Sequence, residues 1–326
     1  MVTLETRIET FPLRQRFTTS RGSKTETVVV AVELRDGKYK GRGECGPNIR
    51  YDETPDSVAA AITAMAADIA GGLDRESLQA AMPPGAARNA IDCAFWDLEA
   101  KRSGRPVWSL AGLAAPGPVE TAYTLSVDTP AAMAAAARAN ASRPLLKLKL
   151  TGAGDLDRVR AVRAGALGAR LIVDANEAWT PEDFGALAAQ LAGLGVEMIE
   201  QPFPAGDDAA LAELDHPVPI CADESCRDRA GVAALADRYD MINIKLDKTG
   251  GLTEALATAA AARAVGLDLM VGCMVGTSLA LAPAHLVAQG AKIVDLDGPL
   301  LLAEDREPPL EVRGSRIFPP TAALWG

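Results

Sequence analysis

From residue 121 onward, short apolar runs recur about every 22 to 28 residues. They begin near Thr121, Leu145, Leu171, Glu197, Pro219, Met241, Leu269 and Lys292. Ala-rich stretches fill the gaps, and alanine is the strongest helix former. One strand, one helix and two short loops fit that interval. Strands linked through helices run parallel, because the helix carries the chain back to the same edge. Eight such units predict an α/β fold with a (β/α)8-type barrel. An open doubly wound sheet is the runner-up, but it would bring a Gly-rich dinucleotide loop that this chain lacks. No long helical stretch follows the eighth run, so the last helix is expected to be missing. Leu310–Phe318 reads as a small hairpin.

The first third has another pattern. Thr27–Leu34 is a strong strand, Asp36-Gly37 is a hairpin turn, and Tyr39–Glu44 returns. A polar, basic loop is expected over Thr18–Lys24, before the second strand. Helices are expected over Thr54–Ala70, Arg75–Ala81 and Gly85–Arg102. Strands first and helices after make an α+β unit. It ends at the Gly/Pro-rich stretch Gly112–Pro118. The expected division is a capping domain over 1–115, a barrel over 116–300, and a tail over 301–326 that returns to the cap.

Whole-chain properties narrow the function. A net charge of −10 argues against a nucleic-acid or anionic-membrane surface. Five cysteines form no CxxC pair and read as reduced thiols of a cytoplasmic protein. The two histidines are isolated, which disfavours a His-ligated metal. Met1–Ile8 alternates like a strand rather than a signal peptide. No uncharged apolar run reaches the ~20 residues that span a membrane. A homo-oligomer is compatible with all of this.

Polar residues sit where the runs end. Lys147 and Lys149 are spaced by two in a Leu-rich strand, so they share one face. Alone, that stretch reads as an exposed edge strand, but the eightfold rhythm moves it inside a barrel. Asp174 and Asn176 end the third run, Glu200 the fourth, Asp223 the fifth, Lys245 the sixth, and Asp295 and Asp297 the eighth. In a βα barrel these ends meet at one mouth. Any one Asp there is readily explained as a helix cap, but six of eight strands ending in charge are not. Asp174, Glu200 and Asp223 would repel one another unless a hard cation joined them, and oxygen-only donors suit Mg²⁺. Lys147 and such a cation would lower the proton affinity of Lys149, suiting it as a base. Lys149 and Lys245 flank the carboxylates by strand order. Two bases facing one cation suit moving a proton between the faces of a carbon, through an enediolate.

The motifs Lys147-Leu-Lys149, Asp174-Ala-Asn176, Glu200-Gln-Pro202, Ala222-Asp-Glu-Ser225 and Asn243-Ile-Lys245 resemble, in order, those of the enolase superfamily. The likeness lies within its muconate-lactonizing-enzyme-like subgroup. It implies a (β/α)7β TIM-like barrel, Mg²⁺ on Asp174, Glu200 and Asp223, and acid/base roles for Lys149 and Lys245. Asp295-Leu-Asp297 resembles the Asp-x-Asp motif of the dipeptide epimerases, whose carboxylates bind a dipeptide's α-ammonium. Gly85–Ala90, Asn243–Gly251 and Gly272-Cys-Met are similar to the L-Ala-D/L-Glu epimerases. That likeness implies epimerisation of glutamate in cell-wall peptide recycling. A cation for the glutamate side chain is then expected from Arg21, the first choice for its fork of donors, or from Lys24. Strand parity makes Asp247 a supporting partner of Lys245. Cys273 and Met274 are expected to shape the wall, Trp179 to pack, and Glu224 to play a supporting part. Cycloisomerases and o-succinylbenzoate synthases, which use the same two lysines, stay open as alternatives, as does a non-catalytic barrel.

Overall fold

The computed structural model describes residues 1–326. The chain opens with three antiparallel strands, β1 (Thr3–Thr19), β2 (Gly22–Asp36) and β3 (Tyr39–Cys45), in that spatial order. Four helices cover one face: α1 (Pro55–Ala64), α2 (Ala66–Ala70), α3 (Arg75–Ala81) and α4 (Ala86–Ser103). Val30, Val32 and Leu34 of β2 pack on Ile62, Ile91, Phe95 and Leu98. Gly41 and Gly43 let β3 press against α4, since a Cβ there would lie 2.1 and 2.0 Å from the carbonyls of Ala94 and Ala90.

Two details differ from expectation. The helix expected over 54–70 is two helices. Met65 N bonds to Ile62 O, a tight three-residue turn that separates them while Ile62 and Ile69 both stay buried. The loop expected over 18–24 is a hairpin tip. Phe17, Thr18 and Thr19 pair with Lys24, Ser23 and Gly22, leaving Ser20 and Arg21 at the turn. The strand register shifts between Pro12 and Phe17 on the way there.

A short α5 (Val107–Leu110) and β4 (Val119–Glu120) lead into the barrel. Its first half runs β5 (Tyr123–Leu125), α6 (Pro130–Ala139), β6 (Leu145–Lys149), α7 (Asp155–Gly165), β7 (Arg170–Asp174), α8 (Pro181–Gly193) and β8 (Val196–Glu200). The second half runs β9 (Ile220–Ala222), α9 (Arg229–Val232), β10 (Met241–Ile244), α10 (Leu246–Thr249), α11 (Leu252–Ala264), β11 (Asp268–Gly272), α12 (Ser278–Ala288), β12 (Ile293–Asp295) and α13 (Gly298–Leu301). All eight expected strands are present and parallel, in chain order from β5 to β12. Ala122 N to Val294 O, at 2.8 Å, joins the first strand to the last. The connection after β8 is 3₁₀ rather than α, because Pro202, Pro204 and Gly206 interrupt it. The last helix, expected to be missing, is reduced to a single turn. No helix is long and apolar enough to cross a membrane.

Strand pleating sorts the interior into layers. The floor is an apolar ring with one residue in, or directly before, each strand: Ala122, Leu145, Ile172, Met198, Cys221, Met241, Met270 and Ile293. Two residues further along each strand stand Thr124, Lys147, Asp174, Glu200, Asp223, Asn243, Gly272 and Asp295. Period two therefore turns one apolar ring into one polar ring. Alternate residues such as Leu146, Leu148, Val173 and Ile199 face outward into the 56-residue core beneath the helices.

The tail forms a hairpin, β13 (Val312–Arg313) and β14 (Arg316–Ile317), that pairs with β4 at the barrel base. It also touches the cap. Ala303 N bonds to Pro12 O, Trp325 Nε1 to Cys93 O, and Gly326 N to Asp97 Oδ1.

Candidate active site

The polar ring and the hairpin tip enclose a cavity of about 590 Å³, lined by cap residues such as Arg21 and Lys24 and by barrel residues including Lys149, Asp223 and Lys245. Lys149 Nζ lies 2.5 Å from Asp174 Oδ2, and Lys245 Nζ 2.5 Å from Asp223 Oδ2. β7, β8 and β9 lie between these lysines, so they stand on either side of the carboxylates. Lys147 lies deeper and is fully buried. Its Nζ is 2.6 Å from Glu200, 2.7 Å from Asp295 and 3.3 Å from Asp174. Its charge thus goes to three carboxylates, and it ties the acidic cluster together. This differs from the expectation that its charge acts on Lys149.

The carboxylates differ in their proton affinity. Burial disfavours charge on Asp174, but Lys149 and Lys147 outweigh it and hold the carboxyl at about 2. Glu200 is pushed up to about 7 by burial and by the Asp174 charge beside it. Asp223 falls well below the ordinary range, because Lys245 and Lys248 outweigh its burial. Asp297 rises to about 7 through burial and the neighbouring Asp295. Its Oδ2 accepts from Thr124 N at 2.6 Å, and Asp295 Oδ2 accepts from Lys147.

Three buried carboxylates on successive strands fit Mg²⁺ in donor chemistry. Glu200 Oε2 is buried and accepts no well-angled hydrogen bond, which suits a ligand atom. Lys147, Lys149 and Lys245 stand among these carboxylates, and no three acidic side chains are close enough together to hold an ion.

The motifs around the ring have local reasons. Asn176 donates its backbone N–H to Asp174 Oδ1 at 2.9 Å, and its φ of 45° turns the chain sharply after β7. Gln201, at φ 36°, accepts from the backbone of Asp223 and Ser225 at 2.8 and 3.1 Å. It holds the loop carrying Asp223, a role the sequence argument missed. Asn243 Nδ2 donates to Glu200 Oε1 at 2.7 Å. Gly272 leaves room for both neighbours, since a Cβ there would lie 2.8 Å from Asn243 and 3.2 Å from Lys245. Cys273 and Met274 line the cavity. Trp179 is buried and donates to Asp155.

Two expectations need correction. Asp247 does not support Lys245. Its Oδ1 accepts from Gly46 N and Asn89 Nδ2, both at 2.9 Å, and so ties the cap to the barrel. Strand parity ends at Ile244, because α10 begins at Leu246 and rotates the next side chains. One helical turn brings Lys248 back to the site, where it meets Asp223 at 2.7 Å. Arg21 is also engaged elsewhere. Its guanidinium lies 2.7 Å from Glu177 and 2.5 Å from Glu224. Glu177 also accepts two bonds from Arg50. Lys24, back along the hairpin, lines the cavity and meets no carboxylate.

Comparison with known proteins places this arrangement. A family described as Enolase C-terminal domain-like matches residues 110–323. One described as the Mandelate racemase / muconate lactonizing enzyme, N-terminal domain matches residues 1–112. The chain belongs to the enolase superfamily. Among curated superfamily members it is 50% identical over 305 residues to the L-Ala-D/L-Glu epimerase of Escherichia coli (strain K12), covering 93% of this chain and 95% of that one. It is 43% identical over 300 residues to the N-acetyl-D-glutamate racemase of a Pseudoalteromonas species, covering 91% and 95%. A solved enolase family member from Agrobacterium tumefaciens, with homology to dipeptide epimerases, has bound sodium and L-Ala-L-Glu and an ordered loop. It superposes with a TM-score of 0.98 at 52% identity over 100% of both chains. A dipeptide epimerase from Enterococcus faecalis V583, complexed with Mg and L-Leu-L-Tyr, gives 0.89 at 29% identity over 98% and 96%.

Proposed function

We propose that this chain is a magnesium-dependent dipeptide epimerase that inverts the α-carbon of the C-terminal residue. The L-Ala-L-Glu and L-Ala-D-Glu pair is its substrate, and recycling of cell-wall peptides in the cytoplasm is its setting. The observation that carries this is the placement of Lys149 and Lys245 on opposite sides of one acidic cluster, in a cavity that also holds Asp295 and Asp297. Asp174, Glu200 and Asp223 would hold Mg²⁺, which would offset the negative charge that builds on the substrate carboxylate as the α-proton leaves. One lysine removes the α-proton and the other returns a proton to the opposite face. In the reverse direction they exchange roles. Asp295 and Asp297 face the α-ammonium, which needs carboxylate partners in a closed site. Lys24 is the cation free to meet a side-chain carboxylate. Five free cysteines, none in a disulfide, support a reducing compartment.

The likeness to an N-acetyl-D-glutamate racemase favours a second reading, racemisation of an N-acylated glutamate. Such a substrate carries no ammonium, and neither do those of the cycloisomerases. Asp297, which pairs with no cation of the chain while Asp295 has Lys147, would then be left without one, which ranks these readings lower. The test is incubation of L-Ala-L-Glu with enzyme and Mg²⁺ in D₂O. The glutamate α-proton should exchange as the configuration inverts, and chelation should stop it. Absence of exchange across a dipeptide panel would sink the proposal.

A further inference from the structure

Lys248 is a sealed lysine that proton transfer does not call for. It sits on α10, and its side chain has no solvent exposure. Its Nζ donates to Asp223 Oδ1 at 2.7 Å, to Asn243 O at 2.8 Å and to the backbone carbonyl of Asp223. An ammonium has three protons, so all are used. The other oxygen of the same carboxylate, Asp223 Oδ2, lies 2.5 Å from Lys245, which lines the cavity. The two oxygens of Asp223 therefore face opposite ways: Oδ1 into the sealed wall, Oδ2 into the mouth. The backbone of Asp223 is held as well, by Gln201 at its N–H and by Lys248 at its carbonyl.

We propose that Lys248 is a positioning residue for the cation site: it pins Asp223 so that a single oxygen, Oδ2, is offered to the metal, and so favours a small ion over a large one. The inference rests on the assignment of Asp174, Glu200 and Asp223 as magnesium ligands. Its physical basis is the contrast between the two common hard cations. Mg²⁺ demands a compact octahedron, whereas Ca²⁺ accepts both oxygens of one carboxylate in a loose shell. An Asp223 free to rotate could offer both oxygens, but a pinned one cannot. If Lys248 only plugged the ends of β9 and β10 through the two carbonyls, its loss would weaken the fold without distinguishing between ions.

The experiment is calorimetric titration of the full chain with MgCl₂ and with CaCl₂, for the unaltered protein and for Lys248→Met. Outer-shell partners of metal ligands are typically worth about tenfold or more in affinity. Lys248→Met should therefore bind Mg²⁺ at least about tenfold more weakly, while Ca²⁺ affinity falls far less. Lys248→Gln keeps N–H donors for the carbonyls and serves if the Met variant does not fold. It should shift the Mg²⁺/Ca²⁺ ratio the same way. Unchanged Mg²⁺ affinity, or equal losses for both ions, would overturn the role of Lys248 alone. An unaltered protein that binds no Mg²⁺ would overturn the magnesium assignment and this inference with it.

Discussion

Arg21 Nη2 lies 2.5 Å from Glu224 Oε1, joining the tip of the capping hairpin to the residue after Asp223. The same nitrogen is 2.7 Å from Glu177, whose carboxyl is held at about 2: burial opposes ionisation there, but Arg50, Ala205 N–H and Arg21 outweigh it. Glu177 itself stands at φ 68°, a strained position for a side-chain-bearing residue. The contact closes the hairpin over the mouth. Arg21→Met strands the buried carboxylate of Glu224 on the barrel side and leaves Glu177 to Arg50 alone. It should raise KM for the dipeptide by about tenfold with a smaller effect on kcat, and speed hydrogen exchange over residues 18–24. Unchanged exchange there would count against a latch.

Lys24 carries a different prediction. Lys24→Met should lower kcat/KM for dipeptides ending in glutamate by about a hundredfold, the scale of a lost charge-assisted contact. Dipeptides with an apolar C-terminal residue should be unaffected or improved. A kinetic panel varying only that residue reads the difference, and a uniform loss would remove Lys24 from specificity.

Asp297→Asn keeps an oxygen for Thr124 N–H but removes the charge. Activity on L-Ala-L-Glu should fall about a hundredfold, since an ammonium loses an ionic partner in a buried site. Turnover of N-acetyl-L-glutamate, measured in parallel, should not fall with it. Parallel losses would mean that Asp297 serves the fold rather than the ammonium.

Asp247 predicts a pH dependence of stability. Burial pushes its carboxyl up to about 7, against the hydrogen bonds from Gly46 and Asn89. An unfolded Asp titrates near 3.9. The folded state therefore holds the proton more tightly, and stability falls as pH rises from about 4 to about 7. Asp247→Asn removes that ionisation and keeps an acceptor. The Tm of the variant relative to the parent should climb between about pH 4 and about pH 7. A flat difference would place the carboxyl below that window.

What was legible in the sequence follows from what period and spacing encode. The eight strands were readable because each needs an apolar floor residue, such as Leu145 or Met270, at a regular interval. Lys147, Lys149, Asp174 and Glu200 were readable because they sit inside strands or at their last residue, where alternation still holds. Asp247 was misplaced because alternation was carried past Ile244 into a helical turn. Lys248 escaped for the same reason, since it returns to the site by helical periodicity. Arg21 was ranked ahead of Lys24 on donor geometry alone, because sequence does not show where either side chain lies. Their positions depend on the register shift between Pro12 and Phe17, which no local pattern announces. The tail's contacts with Cys93 and Asp97 span more than 200 residues of chain, and nothing near either end specifies them.

The apolar ring under the polar one gives the barrel a closed bottom. Ala122, Leu145, Ile172, Met198, Cys221, Met241, Met270 and Ile293 offer a proton no relay toward the base. The reaction chamber therefore opens on the capping side, where Arg21 ties the hairpin to Glu177 and Glu224. Reactant enters and product departs by the same route, so the two stereoisomers compete for one threshold. A change that only lowers the barrier of that route hastens capture and release alike, and the equilibrium partners inhibit each other by occupancy alone.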